Sequence, residues 1–383
     1  MTVPVYLDYN ATTPIDPAVV EAMLPYLAEH FGNPSSNHVY GRRARQAVEA
    51  AREEVAALIG AHADEVVFTG SATEANNLAL QGVARALRAA RRHVITSAIE
   101  HPAVAAPCRR LGEDGWGVTV LPVDGEGRVD ADTAAAALRP DTALVSVMHA
   151  SNETGAIQPV AAIAGLARQR GVLVHSDAAQ SVGKLRVQVD DLGVDLLTLA
   201  GHKFYAPKGV GALYVRRGTP LSPILLGADH ERGLRPGTEN VALIVALGVA
   251  ARLARERGTA AGEHLRRLRN RLHALLRDGV PGLVLNGPVE ERLPNTLHVS
   301  FPGVSGRALL AAVEGEVAAS VGSACHSEGN AVSGVLMAMG IGSERALGAV
   351  RLSVGLPTTE EDIDHAAGAL VAAWGGLVGD HRS

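Results

Sequence analysis

The sequence is poor in aromatic residues, in cysteine and in long apolar runs, and these shortages exclude several classes of protein. Phenylalanine, tyrosine and tryptophan make up 3% of the 383 residues. The two cysteines, Cys108 and Cys325, provide neither a disulfide framework nor a metal-ligand spacing. The longest uncharged apolar runs, at 241–251 and 366–379, are too short to cross a bilayer, so we predict no membrane partner.

Strong positive charge is missing as well. The formal net charge is -5 at pH 7 and no long block of lysine or arginine occurs, so we predict no nucleic-acid partner. The first residues lack the basic stretch followed by an apolar one that a secretory signal needs. Together with the cysteine content, this predicts a cytoplasmic protein. The apolar fraction of 47% and the charged fraction of 20% are typical of globular proteins.

Strand-like and helix-like segments alternate over the first two thirds of the chain. This alternation predicts an α/β fold with a mainly parallel sheet, whose functional groups gather at the carboxyl ends of the strands. A length of 383 residues favours two domains. We predict a large α/β domain over residues 1–257 and a smaller α+β domain over residues 258–383. Whether the first residues pack against the small domain is left open.

Lys203 stands at the end of an apolar strand predicted over 196–200. A desolvated lysine has a depressed pKa, and its neutral amine can then bind pyridoxal phosphate covalently. Asp177 ends another predicted strand, 26 residues upstream. The pyridinium nitrogen of that cofactor needs such an acid, and strands of one parallel sheet would bring both side chains to one crevice. For Lys203 alone, a surface lysine in a plain turn is the alternative.

Other segments carry polar groups at comparable positions. Ser71 or Thr73 caps a predicted helix whose N-terminus can bind a phosphate, although ordinary capping explains these residues equally well. His101 and Asn152 follow predicted strands, and a structural role is the alternative for the histidine. Arg351 lies within an apolar strand and needs an anion, either a substrate carboxylate or a partner in a structural salt bridge.

The surroundings of Cys325 differ from those of Cys108. Cys325 follows a predicted strand and opens a loop of glycine, serine and asparagine, whereas Cys108 lies in the segment Ala-Ala-Pro-Cys-Arg-Arg. An unpaired cysteine is usually a small buried hydrophobe, but a polar loop gives a thiolate the access that a nucleophile needs. Cys325 is therefore the candidate nucleophile.

Taken together, these segments resemble the class V aminotransferase family of pyridoxal-phosphate enzymes, in particular the cysteine desulfurases and selenocysteine lyases. The resemblance covers nearly the whole chain and implies the fold of type I pyridoxal-phosphate transferases, pyridoxal 5'-phosphate (PLP) as cofactor and L-cysteine as substrate. It rests above all on HSDAAQSVGK at 175–184, GHKFYAPKG at 201–209, SAC at 323–325 and AVRLSVG at 349–355.

The resemblance also implies roles for the candidate residues. Lys203 would bind the cofactor and move the Cα proton, Cys325 would take the substrate sulfur as a persulfide, and His101 would stack on the cofactor ring and assist proton transfer. The loop with Thr238 would reach the cofactor of a neighbouring subunit, which implies a homodimer with shared sites. A sulfur-acceptor protein is a further implied partner. The implied cofactor-binding residues are Ala72, Thr73, His101, Asn152, Asp177, Gln180, His202, Lys203 and Thr238, and the implied substrate-binding residues are Asn152 and Arg351.

The chain departs from the family at several positions, and three alternatives stay open. Ala200 stands where many desulfurases have a phosphate-binding serine, and Ala228 and Asp229 replace glycines. A selenocysteine lyase would act on L-selenocysteine, but Pro102 stands where the animal lyases have an acid. A transaminase of the same fold would leave Cys325 without a role. A non-catalytic nucleotide-binding module is the third alternative, and no glycine-rich signature after a strand supports it.

Overall fold

The computed structural model describes residues 3–322 and 332–380 of the chain. Within these ranges the strands form three sheets of seven, three and two strands. All of them have five residues or fewer, and most strands of the largest sheet are buried on both faces, with the edge strand β4 partly exposed. The strands are β1 (Val5–Tyr6), β2 (Val66–Thr69), β3 (His93–Ser97), β4 (Gly117–Leu121), β5 (Thr142–Ser146), β6 (Leu173–Asp177), β7 (Leu196–Ala200), β8 (Gly211–Val215), β9 (Val284–Leu285), β10 (Thr296–Ser300), β11 (Val317–Ala318) and β12 (Ala349–Ser353).

Several helices begin at a residue whose side chain caps them, and the longer ones bury an apolar face. For example, the Ser71 side chain accepts a hydrogen bond from the Glu74 N–H at 3.2 Å, and Ala75, Leu78, Ala79 and Val83 are buried at helical spacing. The helices are α1 (Pro17–Met23), α2 (Pro25–Ala28), α3 (Val39–Ile59), α4 (Ala72–Leu87), α5 (Pro102–Glu113), α6 (Ala131–Ala136), α7 (Val160–Arg168), α8 (Val189–Leu192), α9 (Val241–Gly279), α10 (Gly306–Ala312), α11 (Gly334–Ala338), α12 (Ser343–Leu347) and α13 (Glu360–Asp380).

The seven-stranded sheet has the strand order β2-β8-β7-β6-β5-β3-β4. Strands β7, β6, β5, β3 and β4 run parallel, while β8 is antiparallel to both of its neighbours. The predicted α/β fold with a mainly parallel sheet is therefore confirmed. The parallel arrangement brings the carboxyl ends of β3, β6 and β7 to the same edge of the sheet.

Both faces of this sheet are covered by helices. Adjacent residues of a strand point to opposite faces, so Leu196 packs against the helical layer that contains α4 and α5, whereas Leu197 packs in the larger core with α3, α7 and the first half of α9. Both leucines are 0% exposed. The sheet is thus fixed from two sides, which holds the strand ends in place.

A separate apolar core lies over the antiparallel sheet β12-β10-β9. It includes Leu268 and Leu272 from the second half of α9 and Ile363 from α13. Helix α9 changes direction at Gly258, whose φ of 48° and ψ of -135° are not helical. The predicted domain boundary between residues 257 and 258 falls at this kink, and the division into two folding units stays a prediction.

The first described residues cross from one core to the other. Strand β1 pairs in parallel with β11, and Leu7, which is 0% exposed, belongs to the core over the antiparallel sheet. The following residues, 8–13, are called the N-terminal segment below. They run toward the carboxyl edge of the large sheet, where the Thr13 N–H donates to the His202 carbonyl at 3.0 Å.

Two further properties concern the described ranges as a whole. No helix within residues 3–322 and 332–380 combines the length and the apolar character that a membrane crossing requires. In the same part of the chain, no group of three or more histidine, cysteine, aspartate or glutamate side chains is arranged to hold a metal ion.

Candidate active site

A cavity of about 340 Å³ lies at the carboxyl edge of the large sheet. Residues from the ends of β3, β6 and β7 line it together with the first turn of α4, the N-terminal segment and β12. It contains nine of the eleven residues that the sequence singles out. These are Ala72, Thr73, His101, Asn152, Asp177, Gln180, His202, Lys203 and Arg351.

Asp177, the last residue of β6, is 7% exposed. Its Oδ2 accepts a hydrogen bond from Asn76 Nδ2 at 2.7 Å, and its Oδ1 accepts one from the Ala179 N–H at 2.9 Å. Two donors on different elements therefore hold the carboxylate in one orientation at the cavity wall.

Lys203 lies in a single 3₁₀ turn, Gly201–Lys203, directly after β7. Its Nζ donates to the Asn10 carbonyl at 2.6 Å and to the Ala11 carbonyl at 2.8 Å. The N-terminal segment thus supplies the acceptors for the amine, about 190 positions away in sequence. Lys203 and Asp177 line the same cavity, as their strand-end positions predict.

His101 caps the N-terminus of α5. Its Nδ1 accepts a hydrogen bond from the Ala103 N–H at 3.1 Å, so in the neutral ring the proton resides on Nε2. Desolvation by the surrounding protein lowers the pKa of His101, the Asp177 charge opposes this change, and the Lys203 charge adds to it. The residue is nevertheless open at the cavity. A neutral imidazole with a donor at Nε2 can stack on a flat ring and exchange a proton.

The N-terminus of α4 forms another part of the wall. Ala72 and Thr73 lie in the first turn of this 16-residue helix, whose unpaired N–H groups and positive dipole end favour an anion. The Ser71 hydroxyl also lines the cavity, but it already accepts the capping hydrogen bond from Glu74. Ordinary capping is therefore present at this helix end.

Arg351 lies on β12 at the opposite side of the cavity and is 3% exposed. Its Nη2 contacts Asp8 Oδ1 at 2.7 Å, and its Nη1 donates to the Asn152 carbonyl at 3.1 Å. Its Nε has no hydrogen-bond partner among the described residues. The structural salt bridge considered for this arginine is present, and a substrate carboxylate would share the guanidinium with Asp8.

The remaining two of the eleven singled-out residues are Thr238 and Cys325. Thr238 is exposed in the loop before α9 and does not line the cavity of its own chain. Cys325 lies outside the described residues. The other cysteine, Cys108, is buried in α5, and burial raises the pKa of its thiol to about 12, with the Glu100 charge acting in the same direction.

Several residues that line the cavity are not among those predicted from the sequence. Asn76 lies one helical turn after Ala72, so helical spacing from the cap could have identified it. Glu100 lies just after β3 and next to His101, and strand-end position could have identified it as well. Asn10 and Ala11 act through backbone carbonyls, which leave no signal in the amino-acid sequence.

The fold and the cavity define an α/β enzyme with an amine, a carboxylate and a helix N-terminus at one edge of a mainly parallel sheet. Residues 5–365 match the model of the family described as Aminotransferase class-V, and the chain belongs to this family.

Proteins named as cysteine desulfurases or as NifS-like are similar to this chain over most of its length. The chain is 50% identical over 368 residues to Cysteine desulfurase IscS of Anaeromyxobacter sp. (strain Fw109-5), covering 95% of this chain and 91% of that protein. It is 47% identical over 362 residues to Cysteine desulfurase IscS of Dictyoglomus turgidum (strain DSM 6724 / Z-1310), covering 94% and 92%. Among solved structures, a NifS-like protein superposes with a TM-score of 0.92 at 37% identity, covering 98% of this chain and 100% of that chain.

PLP is the cofactor of this family, and the groups in the cavity fit it. The cofactor requires an amine for its aldehyde, an acid for its ring nitrogen, a flat partner for its ring and donors for its phosphate. Lys203, Asp177, His101 and the first turn of α4 supply these groups in that order, and all of them line one cavity.

Proposed function

We propose that the protein is a PLP-dependent cysteine desulfurase. It converts L-cysteine to L-alanine and transfers the sulfur to Cys325 as a persulfide, from which an acceptor protein takes it. The observation that carries this proposal is the convergence of Lys203 and Asp177 on one cavity, in a chain that is 50% identical to a named cysteine desulfurase.

Different residues of the cavity would bind different parts of the cofactor. Lys203 would hold it covalently, Asp177 would keep its ring nitrogen protonated, and Ala72 and Thr73 would bind its phosphate at the N-terminus of α4. His101 would stack on the ring, Asn152 would contact a ring oxygen, and Gln180 would lie in the same neighbourhood. His202 completes the proposed cofactor-binding set. When bound, PLP supplies an electron sink for the electrons released at the Cα of the amino acid.

Arg351 and Asn152 are the proposed substrate-binding residues. The guanidinium is buried on β12 and already pairs with Asp8, so a substrate carboxylate would share it with that residue. A substrate carboxylate beside this group would fix the Cα of L-cysteine on the Lys203 side of the cavity. Lys203 then moves the Cα proton, and the neutral His101 holds or returns a proton nearby.

Cys325 performs the sulfur transfer in this proposal. Its thiolate attacks the substrate sulfur, so that an S–S bond forms while the Cβ–S bond breaks. The electron pair of the broken bond stays with the carbon fragment, which takes up protons and leaves as L-alanine. Cys325 is oxidised to the persulfide and the substrate carbon is reduced, so the transfer is balanced without a further oxidant.

A homodimer with shared active sites is part of the proposal. The exposure of Thr238, outside the cavity of its own chain, supports a role toward a second copy. Large apolar side chains are also exposed, among them Leu226 at 90% and Phe31 at 71%, and they suit a partner surface. A cytoplasmic location is likewise proposed, because the reaction requires a reduced thiol.

The variant Lys203→Ala tests the cofactor assignment. We expect a folded protein without the yellow colour of bound PLP and without alanine formation, because the amine that binds the cofactor is gone. Lys208→Ala removes an exposed lysine of the same segment and should retain both properties. Borohydride reduction of the wild type should fix the cofactor on the peptide containing Lys203. Normal turnover by Lys203→Ala would refute the proposed function.

The variant Cys325→Ala tests the sulfur transfer. It should bind PLP and L-cysteine with the same colour as the wild type but accumulate no persulfide, as measured by mass spectrometry after incubation with L-cysteine. Cys108→Ala is the matched control, since burial and a raised pKa leave that thiol unreactive. If Cys108→Ala abolished persulfide formation and Cys325→Ala did not, the nucleophile would be wrongly assigned.

A further inference from the structure

Lysine is nearly absent from this chain. Three lysines occur, at positions 184, 203 and 208, against thirty-two arginines. Lys203 lines the cavity and Lys208 is exposed. Since arginine carries the positive charge almost everywhere else, a lysine at position 184 points to a requirement that a larger, permanently charged guanidinium does not meet.

Lys184 lies in the turn after β6 and contacts a residue of the cavity wall. Its Nζ donates to Gln180 Oε1 at 2.9 Å. Gln180 is 6% exposed, and its Nε2 donates to the Asn10 carbonyl at 3.0 Å. That same carbonyl accepts the hydrogen bond from Lys203 Nζ at 2.6 Å. The two lysines are therefore connected through one amide and one carbonyl.

These contacts fix which way the Gln180 amide points. A side-chain amide has an acceptor oxygen and a donor nitrogen, and a reversed amide would exchange them. The Lys184 Nζ donates to the amide oxygen, and the Asn10 carbonyl, which can only accept, holds the amide nitrogen. The NH₂ group has a second hydrogen, and Gln180 lines the cavity. Lys184 thus favours the amide orientation in which the Gln180 NH₂ group can donate to an oxygen atom of a molecule bound in the cavity.

The position of Lys184 is costly for a charged group, which argues against a merely structural cation. Among the described residues Lys184 forms no salt bridge. Burial lowers the pKa of Lys184 to about 7, and the charges of Lys203 and Arg351 act in the same direction. The charge of Lys184 in turn contributes to the lowered pKa of His202. A buried amine whose pKa is perturbed in this way, and which makes a directed hydrogen bond to a residue of the cavity wall, is typical of functional sites.

We propose that Lys184 is a positioning residue of the active site, which holds the Gln180 amide with its NH₂ group directed to an oxygen of the bound cofactor. The inference rests on the proposed function, because it requires PLP in the cavity. Lys184 acts through Gln180 and does not itself line the cavity.

A double-mutant cycle tests the inference. The variants are Lys184→Met, Gln180→Ala and the double variant, with Lys208→Met as a control at an exposed lysine. The PLP dissociation constant is measured from the visible absorbance on reconstitution of the full chain. We expect Lys184→Met to raise it about tenfold, the effect of losing one well-directed hydrogen bond to a charged acceptor. The absorbance maximum of bound PLP should shift in the same direction in Lys184→Met and Gln180→Ala.

The cycle separates positioning from general destabilisation. In the Gln180→Ala background, Lys184→Met should change the dissociation constant by less than about twofold, because its partner is gone. An equal loss of affinity in both backgrounds, or no loss in either, would overturn the inference. If Lys184→Met does not fold, Lys184→Gln, with a shorter side chain, replaces it in the same cycle and is judged by the same criterion.

The result for the wild type distinguishes this inference from the proposed function. A wild-type chain that binds no PLP would overturn the proposed function and the inference with it. A wild-type chain that binds PLP and forms alanine, together with an unchanged Lys184→Met, would overturn the inference alone.

Discussion

At the scale of single residues, Glu100 shows how the cavity changes the chemistry of a carboxyl group. Its Oε1 accepts hydrogen bonds from Ser97 Oγ at 2.5 Å and from the Met148 N–H at 2.9 Å, and its Oε2 is enclosed without a partner in the described ranges. Burial raises the pKa of Glu100 to about 8; the two hydrogen bonds oppose the rise, and the Asp177 charge adds to it. Glu100 is therefore mainly the neutral acid at pH 7.

The raised pKa has a consequence for stability. Between its ordinary value of 4.5 and about 8, the folded state holds a proton that the unfolded state has lost, so the free energy of unfolding falls as the pH rises through this range. One such group changes it by at most about 1.4 kcal/mol per pH unit. Glu100→Gln, an uncharged mimic of the acid, should flatten this fall.

Guanidinium unfolding at pH 5, 6.5 and 8 measures the effect of Glu100→Gln. The control is Glu113→Gln, an exposed glutamate at the end of α5, which should keep the wild-type slope. Identical slopes for the wild type and Glu100→Gln would show that Glu100 ionises normally in the folded protein.

At the scale of elements, the beginning of α5 links helix geometry to the choice of substrate. His101 is its N-cap and Pro102 its first residue, where proline is well tolerated because that N–H has no partner within the helix. Pro102 also lines the cavity. An acid at this position would be stabilised by the helix dipole, so a change there need not disturb the fold.

We expect the wild type to accept L-cysteine and to process L-selenocysteine at least as fast, because selenium is the better leaving atom. Pro102→Asp should lower the activity with L-cysteine about tenfold, the factor that one pKa unit on the attacking thiol represents. The activity with L-selenocysteine, which is largely ionised at neutral pH, should fall less. The assay compares sulfide and selenide release, with Pro102→Asn as the uncharged control.

Two outcomes would contradict this account of substrate choice. An equal loss with both amino acids in Pro102→Asp would place the discrimination elsewhere in the cavity. A wild type that released selenide from L-selenocysteine but left L-cysteine unchanged would identify the activity as that of a selenocysteine lyase.

At the scale of the whole molecule, the N-terminal segment joins the two cores at the active site. Asp8 pairs with Arg351 of β12, the carbonyls of Asn10 and Ala11 hold Lys203, and Thr12 Oγ1 lies 3.2 Å from His202 Nδ1. The cavity is thus completed by residues that precede the large sheet in the chain. Its geometry depends on how well Leu7 anchors this segment.

Leu7→Ala should lower the free energy of unfolding by about 2–5 kcal/mol, because it leaves a hole in an apolar core. Leu7 is 0% exposed and packs with residues of α9, β10 and β12. Val3→Ala, at a residue that is 91% exposed, is the control and should have little effect. Urea unfolding of the two variants provides the measurement. Equal stabilities would mean that the segment is held by its polar contacts alone.

The alternation of strands and helices in the sequence predicts the α/β fold with its mainly parallel sheet. The shared cavity of Asp177 and Lys203 could be predicted because both residues follow strands of one parallel sheet. The antiparallel direction of β8 is not predictable, since its apolar pattern resembles that of the parallel strands β6 and β7. The acceptors of Lys203 were not predictable, because they are main-chain carbonyls brought in from about 190 positions away.

The contact between Asp8 and Arg351 can form only after most of the chain has been synthesised. Asp8 leaves the ribosome 343 residues before its partner. At about 5–20 residues per second, this early segment waits roughly 20–70 s before the strand that holds it exists. In the later part of that interval, after Lys203 and before Arg351 is synthesised, the nascent chain has the lysine for a cofactor but not the completed pocket. We therefore expect cofactor capture to be a late event, which follows the synthesis of β12.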